Sequence, residues 1–204
     1  MSRVVTLVFI AALAGCRHKA HYVEPPPRWR WADVGKVCTT SSPAYPLPDA
    51  LRDTSAHPFG LAHVSDWETK AKLTQDIPGG FGGIGHREVH PRTIVYLLDT
   101  TKLADAIPVL VSKGLLPVAP VVAAAQGRFT YTQLYDWFRY IQMHIRGVAV
   151  VGWTLDDRRN RIFYMLEDEA AATNLGHRLA EMDAPCFLVA VEVTGPIHAA
   201  SGHN

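Results

Sequence analysis

Between residues 63 and 194 the chain passes through the same order of local signals twice, and this repetition limits its fold more than any other feature. In the first pass, Ser65-Asp66-Trp67-Glu68 has the spacing of a capping box, which predicts a helix running to about Gln75. The glycine-rich run Gly79-Gly80-Phe81-Gly82-Gly83 leads into a strand ending at His86, and a turn through Pro91 leads into a strand over 93–98. Asp99 or Thr100 then caps a helix to Lys113, stopped by Gly114 and kinked at Pro108, where one backbone hydrogen bond is lost. A β-rich run over 118–124 closes the pass. The second pass opens on another capping box, Thr130-Tyr131-Thr132-Gln133, and a helix to Ile145 followed by Gly147. Strands over 148–155 and 161–166 flank the turn-forming run Asp156-Asp157-Arg158-Arg159-Asn160. A helix over 169–182 and a strand over 186–193 complete it.

An offset of 68 residues lays one pass on the other without a gap. It matches Ile77 with Ile145, Gly79 with Gly147, Ile94 with Ile162 and Tyr96 with Tyr164. It also matches Leu98 with Leu166, Ala104 with Ala172, Pro117 with Pro185 and Val121 with Val189. Eight identities in 64 positions are modest, so the matched order of elements carries the inference. The expected fold is α+β, a tandem duplication of a helix–strand–strand–helix–strand unit with short sheets covered by helices. The expected divisions are 1–15, a signal peptide; 16–62, a tether; 63–126 and 127–194, the two repeats; and 195–204, a flexible tail.

Composition agrees with a folded chain of this kind. Of 204 residues, 48% are apolar and 19% charged, which is too apolar for wholesale disorder. A net charge of only +1 excludes a whole-protein nucleic-acid footprint, and three Cys are too few for a disulfide scaffold.

The N-terminus reads as an address. Arg3 precedes the apolar run Val4 to Gly15, which is too short to span a bilayer of ~30 Å. Its end, Leu13-Ala14-Gly15-Cys16, resembles the lipobox of bacterial lipoproteins. That resemblance implies cleavage before Cys16 after its thiol is acylated, with palmitate-type chains holding the protein on a membrane. Each buried methylene contributes ~0.8 kcal/mol, so two or three chains make a lasting anchor. Arg17, where an Asp would retain a Gram-negative lipoprotein at the inner membrane, implies the outer membrane, facing the periplasm. Cleavage removes Arg3 and no acid, so 20 basic residues against 19 acidic ones become a neutral mature chain.

Residues 17–62 hold Pro25-Pro26-Pro27, Pro43, Pro46, Pro48 and Pro58, and are expected to form an extended spacer. Its basic residues Arg17, Lys19, Arg28, Arg30 and Lys36 either lie on anionic headgroups, at about 1 kcal/mol each, or are simply solvated. Trp29 and Trp31 either dock on the folded part or sit at the lipid interface. Cys38 and Cys186 remain once Cys16 is lipidated. In an oxidising compartment a bridge between them would tie the tether to the last strand and stabilise by ~3–5 kcal/mol. The alternative is a buried Cys186 and a free Cys38.

In the second pass, Gly147-Val-Ala-Val-Val-Gly-Trp153-Thr-Leu-Asp156, Asn160-Arg161-Ile162, Ala184-Pro185 and Glu192-Val-Thr-Gly195-Pro196 form a recognisable series. It resembles the C-terminal propeptide module of bacterial secreted chymotrypsin-like proteases of the streptogrisin and α-lytic type, over about 65 residues. In that family the propeptide packs on the protease and its C-terminal tail enters the active-site cleft. With the chain ending at Asn204, the expectation is a module acting on a partner in trans, with residues 195–204 as the inserting tail.

Chemistry-bearing patterns are sparse. His86, Glu88 and His90 alternate, so on a strand they share a face as weak candidates for a metal. This is not the zinc-protease arrangement, in which Glu follows the first His, and a further ligand is needed. The glycine run lacks the Lys-Ser/Thr ending of a phosphate loop and instead suits a tight turn with close backbone packing. On the helix over 131–145, Tyr131, Leu134, Phe138, Ile141 and Ile145 make the core face. Trp137, Tyr140 and His144 fall on an adjacent stripe, either a partner surface or packing against the other repeat.

The reading that follows is a lipid-anchored, non-catalytic binding module of the bacterial envelope, with no catalytic residue nominated and no cofactor. Its expected partners are membrane lipid through acylated Cys16 and an envelope protein or protease, with no nucleic acid. The alternatives are a metal-dependent envelope hydrolase using His86, Glu88 and His90, and a passive structural lipoprotein.

Overall fold

The computed structural model describes residues 28–43, 47, 62–86 and 93–195. The lipobox with Cys16, Glu88 and His90, and the tail beyond Gly195 lie outside the described residues. Among the described residues, no helix is long and apolar enough to cross a membrane.

The architecture is α+β, and the five-element unit occurs twice. The first unit comprises α1 (Ala62–Thr74), β2 (Phe81–His86), β3 (Thr93–Leu97), α2 (Leu103–Ser112) and β4 (Val122–Gln126). The second comprises α3 (Tyr131–His144), β5 (Val150–Asp156), β6 (Arg161–Leu166), α4 (Glu169–Glu181) and β7 (Val189–Val193). In each, an antiparallel hairpin is followed by a helical crossover to a parallel third strand. The sheets are ordered β2-β3-β4 and β1-β7-β6-β5, where β1 is the short strand Arg30–Trp31. Each hairpin carries a β-bulge on its first strand, at Phe81/Gly83 and at Val150/Gly152.

The sheet register refines the offset between repeats. Ile94 and Ile162 are equivalent, 68 apart, but the residues paired with them on the preceding strands, Gly85 and Leu155, are 70 apart. Those paired on the following strands, Ala123 and Val189, are 66 apart. Two residues more in the first hairpin loop and two more in the first crossover account for both differences, and Val121 is therefore not the partner of Val189.

Local signals explain most boundaries. Thr130 and Gln133 form the reciprocal capping box of α3, with Gln133 N–H donating to Thr130 Oγ1 at 3.1 Å and Thr130 N–H to Gln133 Oε1 at 2.8 Å. Asp99 caps a 3-10 turn, Thr100–Lys102, that leads into α2. By contrast α1 begins at Ala62, so Ser65 lies inside the helix rather than capping it. Nothing in Ala62, His63 or Val64 stops a helix from growing back past a cap pattern. The strand expected over 118–124 begins only at Val122, because Ala119 turns at φ +55° just before Pro120.

The two halves share one core. The α1 and α3 helices lie against each other, with Trp67 edge-on to Phe138 at 5.0 Å and Lys70 over the Tyr131 ring at 4.7 Å. Thr132 Oγ1 donates to the Ala71 carbonyl at 3.1 Å. The hairpin turn after β5 packs directly on β2, where a Cβ on Gly83 would stand 2.0 Å from the Asp157 carbonyl oxygen. The glycine run therefore serves close backbone packing between repeats as well as a turn.

The expected spacer departs from its sequence reading over residues 28–43, which belong to the folded unit. β1 pairs antiparallel with β7, and Ala32 N–H donates to the Val189 carbonyl at 3.0 Å. Trp31 meets Phe187 edge-on at 5.4 Å, and Lys36 bonds Asp183 at 2.9 Å. Cys38 and Cys186 are joined in a disulfide that closes this segment onto the second repeat. Proline content marks residues that give up backbone donors, but β1 and its flank contain none between Pro27 and Pro43.

Candidate functional site

Strand alternation places the side chains of one face of the larger sheet in a row. Thr154 of β5 pairs with Phe163 of β6, Phe163 with Ala190 of β7, and Ala190 with Trp31 of β1. On the same face, Asp156 lies opposite Arg161, and Gly152 opposite Met165. The other face of β6 carries Ile162, Tyr164 and Leu166, all buried in the core. Tyr164 is bonded there by Gln142 Nε2 at 2.8 Å, and burial drives its phenol far above its ordinary pKa, the hydrogen bond opposing.

A cleft opens over the row between the two sheets. One hollow, about 270 Å³, is walled by Trp31, Phe187, Tyr96, Gln126, Arg128 and Arg161. A second hollow of about 880 Å³ extends past His86, Thr154, Arg158, Phe163 and Met165, and Tyr96 and Arg159 border both.

Arg161 is the feature that distinguishes this cleft. It is 8% exposed, and its Nε and Nη1 are buried with no hydrogen-bond partner. Its guanidinium lies 3.9 Å from the Trp29 ring centroid and 4.7 Å from that of Trp31. Such contacts contribute roughly 0.5–2 kcal/mol each but give a guanidinium no hydrogen-bond acceptor. Burial lowers its pKa to about 10, with Asp156 opposing and Arg159 adding to the fall, so it is charged at neutral pH. Its cross-strand neighbour Asp156 does not neutralise it directly, since that carboxylate accepts from Arg159 Nη1 at 2.9 Å.

The surrounding charges are committed elsewhere or left positive. Asp157 is paired with Lys70 of α1. Arg128 spends its donors on the carbonyls of Ser42 and Thr40 and stacks over Phe187 at 4.8 Å. Four arginines thus line the cleft against two aspartates, each already in an ion pair. Asn160, at φ +57°, forms the base of the site and binds only backbone of the first repeat and the linker.

The residues singled out from sequence are distributed differently. His86 is exposed at the end of β2 and borders the second hollow, while Glu88 and His90 lie outside the described residues. Trp137 is not surface, since at 2% exposure it is core; α3 is packed on α1 as well as on the sheets, which covers this residue. Tyr140 is half-buried and stacks on His144 at 4.1 Å, and His144 Nδ1 donates to the Tyr140 carbonyl at 2.6 Å. The stripe of three therefore offers a partner only Tyr140 and His144. Among the described residues, Asp33, Cys38 and Cys186 alone bring three potential metal ligands together, and the two sulfurs are bonded to each other.

Arg161 itself escaped sequence reading. The turn-forming run ends at Asn160 and Arg161 opens the strand over 161–166, so nothing in the local pattern marks it for burial. What buries it is a pair of indoles from far upstream. The chain matches no protein-family model and no curated protein.

Proposed function

We propose that the protein is a lipid-anchored envelope lipoprotein that acts as a non-catalytic binding module, held on the outer membrane through acylated Cys16. The observation that supports binding is an open cleft bordered by four arginines and two aspartates, with both aspartates already in ion pairs. A cleft with such an excess of one charge attracts a ligand of the opposite charge. Support for the anchor comes from Leu13-Ala14-Gly15-Cys16 alone. The Cys38–Cys186 bridge is in keeping with an oxidising compartment. The propeptide resemblance of the second repeat makes a secreted serine protease the partner class to look for.

The test joins both halves of the reading. Cells are labelled with a palmitate analogue, and the membrane-held protein is captured with whatever it binds. Label that is lost in Cys16→Ser, together with a stoichiometric partner lost in Arg161→Met, supports the proposal. Label independent of Cys16 refutes the anchor, and capture unchanged by Arg161→Met refutes the cleft as the binding site.

A further inference from the structure

We infer that reduction of the Cys38–Cys186 disulfide creates a metal site, in which the two thiolates and the Asp33 carboxylate take one Zn²⁺-type cation. The cation then ties residues 28–43 to the second repeat in place of the S–S bond. This goes beyond the binding-module reading and does not depend on the cleft.

Three observations place the ligands. First, one ligand atom each from Asp33, Cys38 and Cys186 lies within 4.8 Å of the other two, and all three residues are half-buried. Around a tetrahedral zinc, with Zn–S of ~2.3 Å and Zn–O of ~2.0–2.2 Å, neighbouring ligand atoms stand ~3.5–4 Å apart. The two cysteine Cα atoms are 5.7 Å apart, so side-chain rotation opens the reduced sulfurs to that spacing without moving the backbone. Second, the backbone carrying them is fastened independently of the S–S bond. Ala32 N–H donates to the Val189 carbonyl at 3.0 Å, and Lys36 Nζ donates to Asp183 at 2.9 Å and to the Ala184 carbonyl at 2.6 Å. Val34 packs so closely on Gly176 that a Cβ there would stand 2.3 Å from Val34 Cγ2. Reduction therefore leaves the two thiols facing each other. Third, Asp33 is already oriented. Its two carboxylate oxygens accept from Phe187 N–H at 3.2 and 3.3 Å, which holds the group beside the sulfurs and leaves each oxygen a lone pair for a cation.

The donor set selects the class of metal. Two thiolates and one carboxylate suit zinc and its thiolate-binding neighbours, whereas calcium and magnesium take oxygen ligands throughout. Three protein ligands leave a fourth position for water. The redox step is thiol–disulfide exchange with a dithiol reductant. A reductant thiolate attacks one sulfur of the bridge and the S–S bond breaks; two electrons and two protons pass to the cysteines as the reductant closes into its own disulfide. The metal then displaces the two thiol protons to solvent. A disulfide oxidant reverses the exchange, re-forming the bridge and releasing the cation.

The experiment uses the full chain in detergent with Cys16→Ser, so that no other thiol contributes. The protein is reduced with a dithiol, freed of it without air, and titrated with Co²⁺ as a spectroscopic probe and then with Zn²⁺. The expected result is one Co²⁺ per chain with a thiolate-to-cobalt charge-transfer band, bleached by one equivalent of Zn²⁺ and absent from the unreduced protein. Asp33→Asn is expected to weaken Zn²⁺ binding at least about tenfold while the oxidised variant still melts cooperatively. Cys38→Ser and Cys186→Ser should each abolish the two-thiolate band. The melting temperature should fall on reduction and recover in part with equimolar Zn²⁺, a recovery that Asp33→Asn diminishes. The inference is overturned if the reduced protein binds Co²⁺ without the charge-transfer band, which would assign the metal to histidines or carboxylates elsewhere. It is equally overturned if Asp33→Asn binds like the parent, if reduction unfolds the chain and Zn²⁺ does not restore it, or if Mg²⁺ competes as well as Zn²⁺. Each of these results leaves Cys38–Cys186 a structural bridge only.

Discussion

Asn160, in the hairpin turn of the second repeat, donates from Nδ2 to the carbonyl of Gly82, in the bulged strand of the first, at 3.0 Å. The same nitrogen reaches the Phe129 carbonyl at 2.6 Å, while Oδ1 accepts from the N–H groups of Arg128 and Phe129 at 2.7 and 2.9 Å. One side chain thus joins both repeats and the linker between them. It does so from a left-handed backbone, φ +57°, which Asn tolerates better than most residues.

Replacing Asn160 should therefore be costly. Asn160→Ala leaves buried backbone groups without partners and keeps the unfavourable φ, for an expected loss of about 3 kcal/mol. Asn160→Gly loses the same bonds but accepts the backbone, so it should fall short of that loss by about 1 kcal/mol. Urea unfolding measures both, and equal stability of the two variants would separate the strain from this account.

The glycines make a sharper contrast. Gly83→Ala places its Cβ 2.0 Å from the Asp157 carbonyl oxygen, so the hairpin turn must move off β2. The expected loss is about 3 kcal/mol or more. Gly147 has φ +84° but nothing within 4 Å of the added atom, so Gly147→Ala should cost about 1 kcal/mol, from the backbone alone. Thermal melts of the two variants decide the point; similar losses would mean that the repeats do not pack through this contact.

Asp33 supplies a pH signature. Burial raises its pKa above 3.8, opposed mainly by the hydrogen bond from Phe187 N–H at 3.2 Å, with Lys36 and Arg128 also opposing. A carboxyl whose folded pKa is raised destabilises the fold when ionised, and that penalty disappears as pH falls through the raised value. Asp33→Asn keeps an acceptor for Phe187 without the charge. It should be the more stable protein near neutral pH, with the difference shrinking towards about pH 4. A difference that grows on acidification would reverse the sign and contradict the burial argument.

Much of this architecture was legible because it rests on local chemistry. The capping box at Thr130 and Gln133 marks the start of α3, and the apolar run Ile162 to Leu166 behind a turn-forming stretch marks β6. What was not legible depends on chain brought from elsewhere. Phe187 turns at φ +62°, bonded to Asp33, so β7 begins at Val189 rather than at Cys186. Trp137 lies on what a lone helix would make a surface stripe, and only the pairing of α3 with α1 and the sheets covers it. Arg161 becomes a buried, acceptor-poor cation only when Trp29 and Trp31 fold back over the second repeat. No periodicity in β6 encodes that closure.

Binding at the Arg161 cleft is the relationship on which the proposed function stands. A photo-crosslinking residue placed at Thr154, exposed on the cleft rim, tests it in the native envelope, with the same residue at Thr173, exposed on α4, as the comparison. The account expects one discrete adduct from Thr154, absent from Thr173 and lost when Arg161→Met is added. The same adducts from both positions, or a Thr154 adduct that survives Arg161→Met, would contradict it.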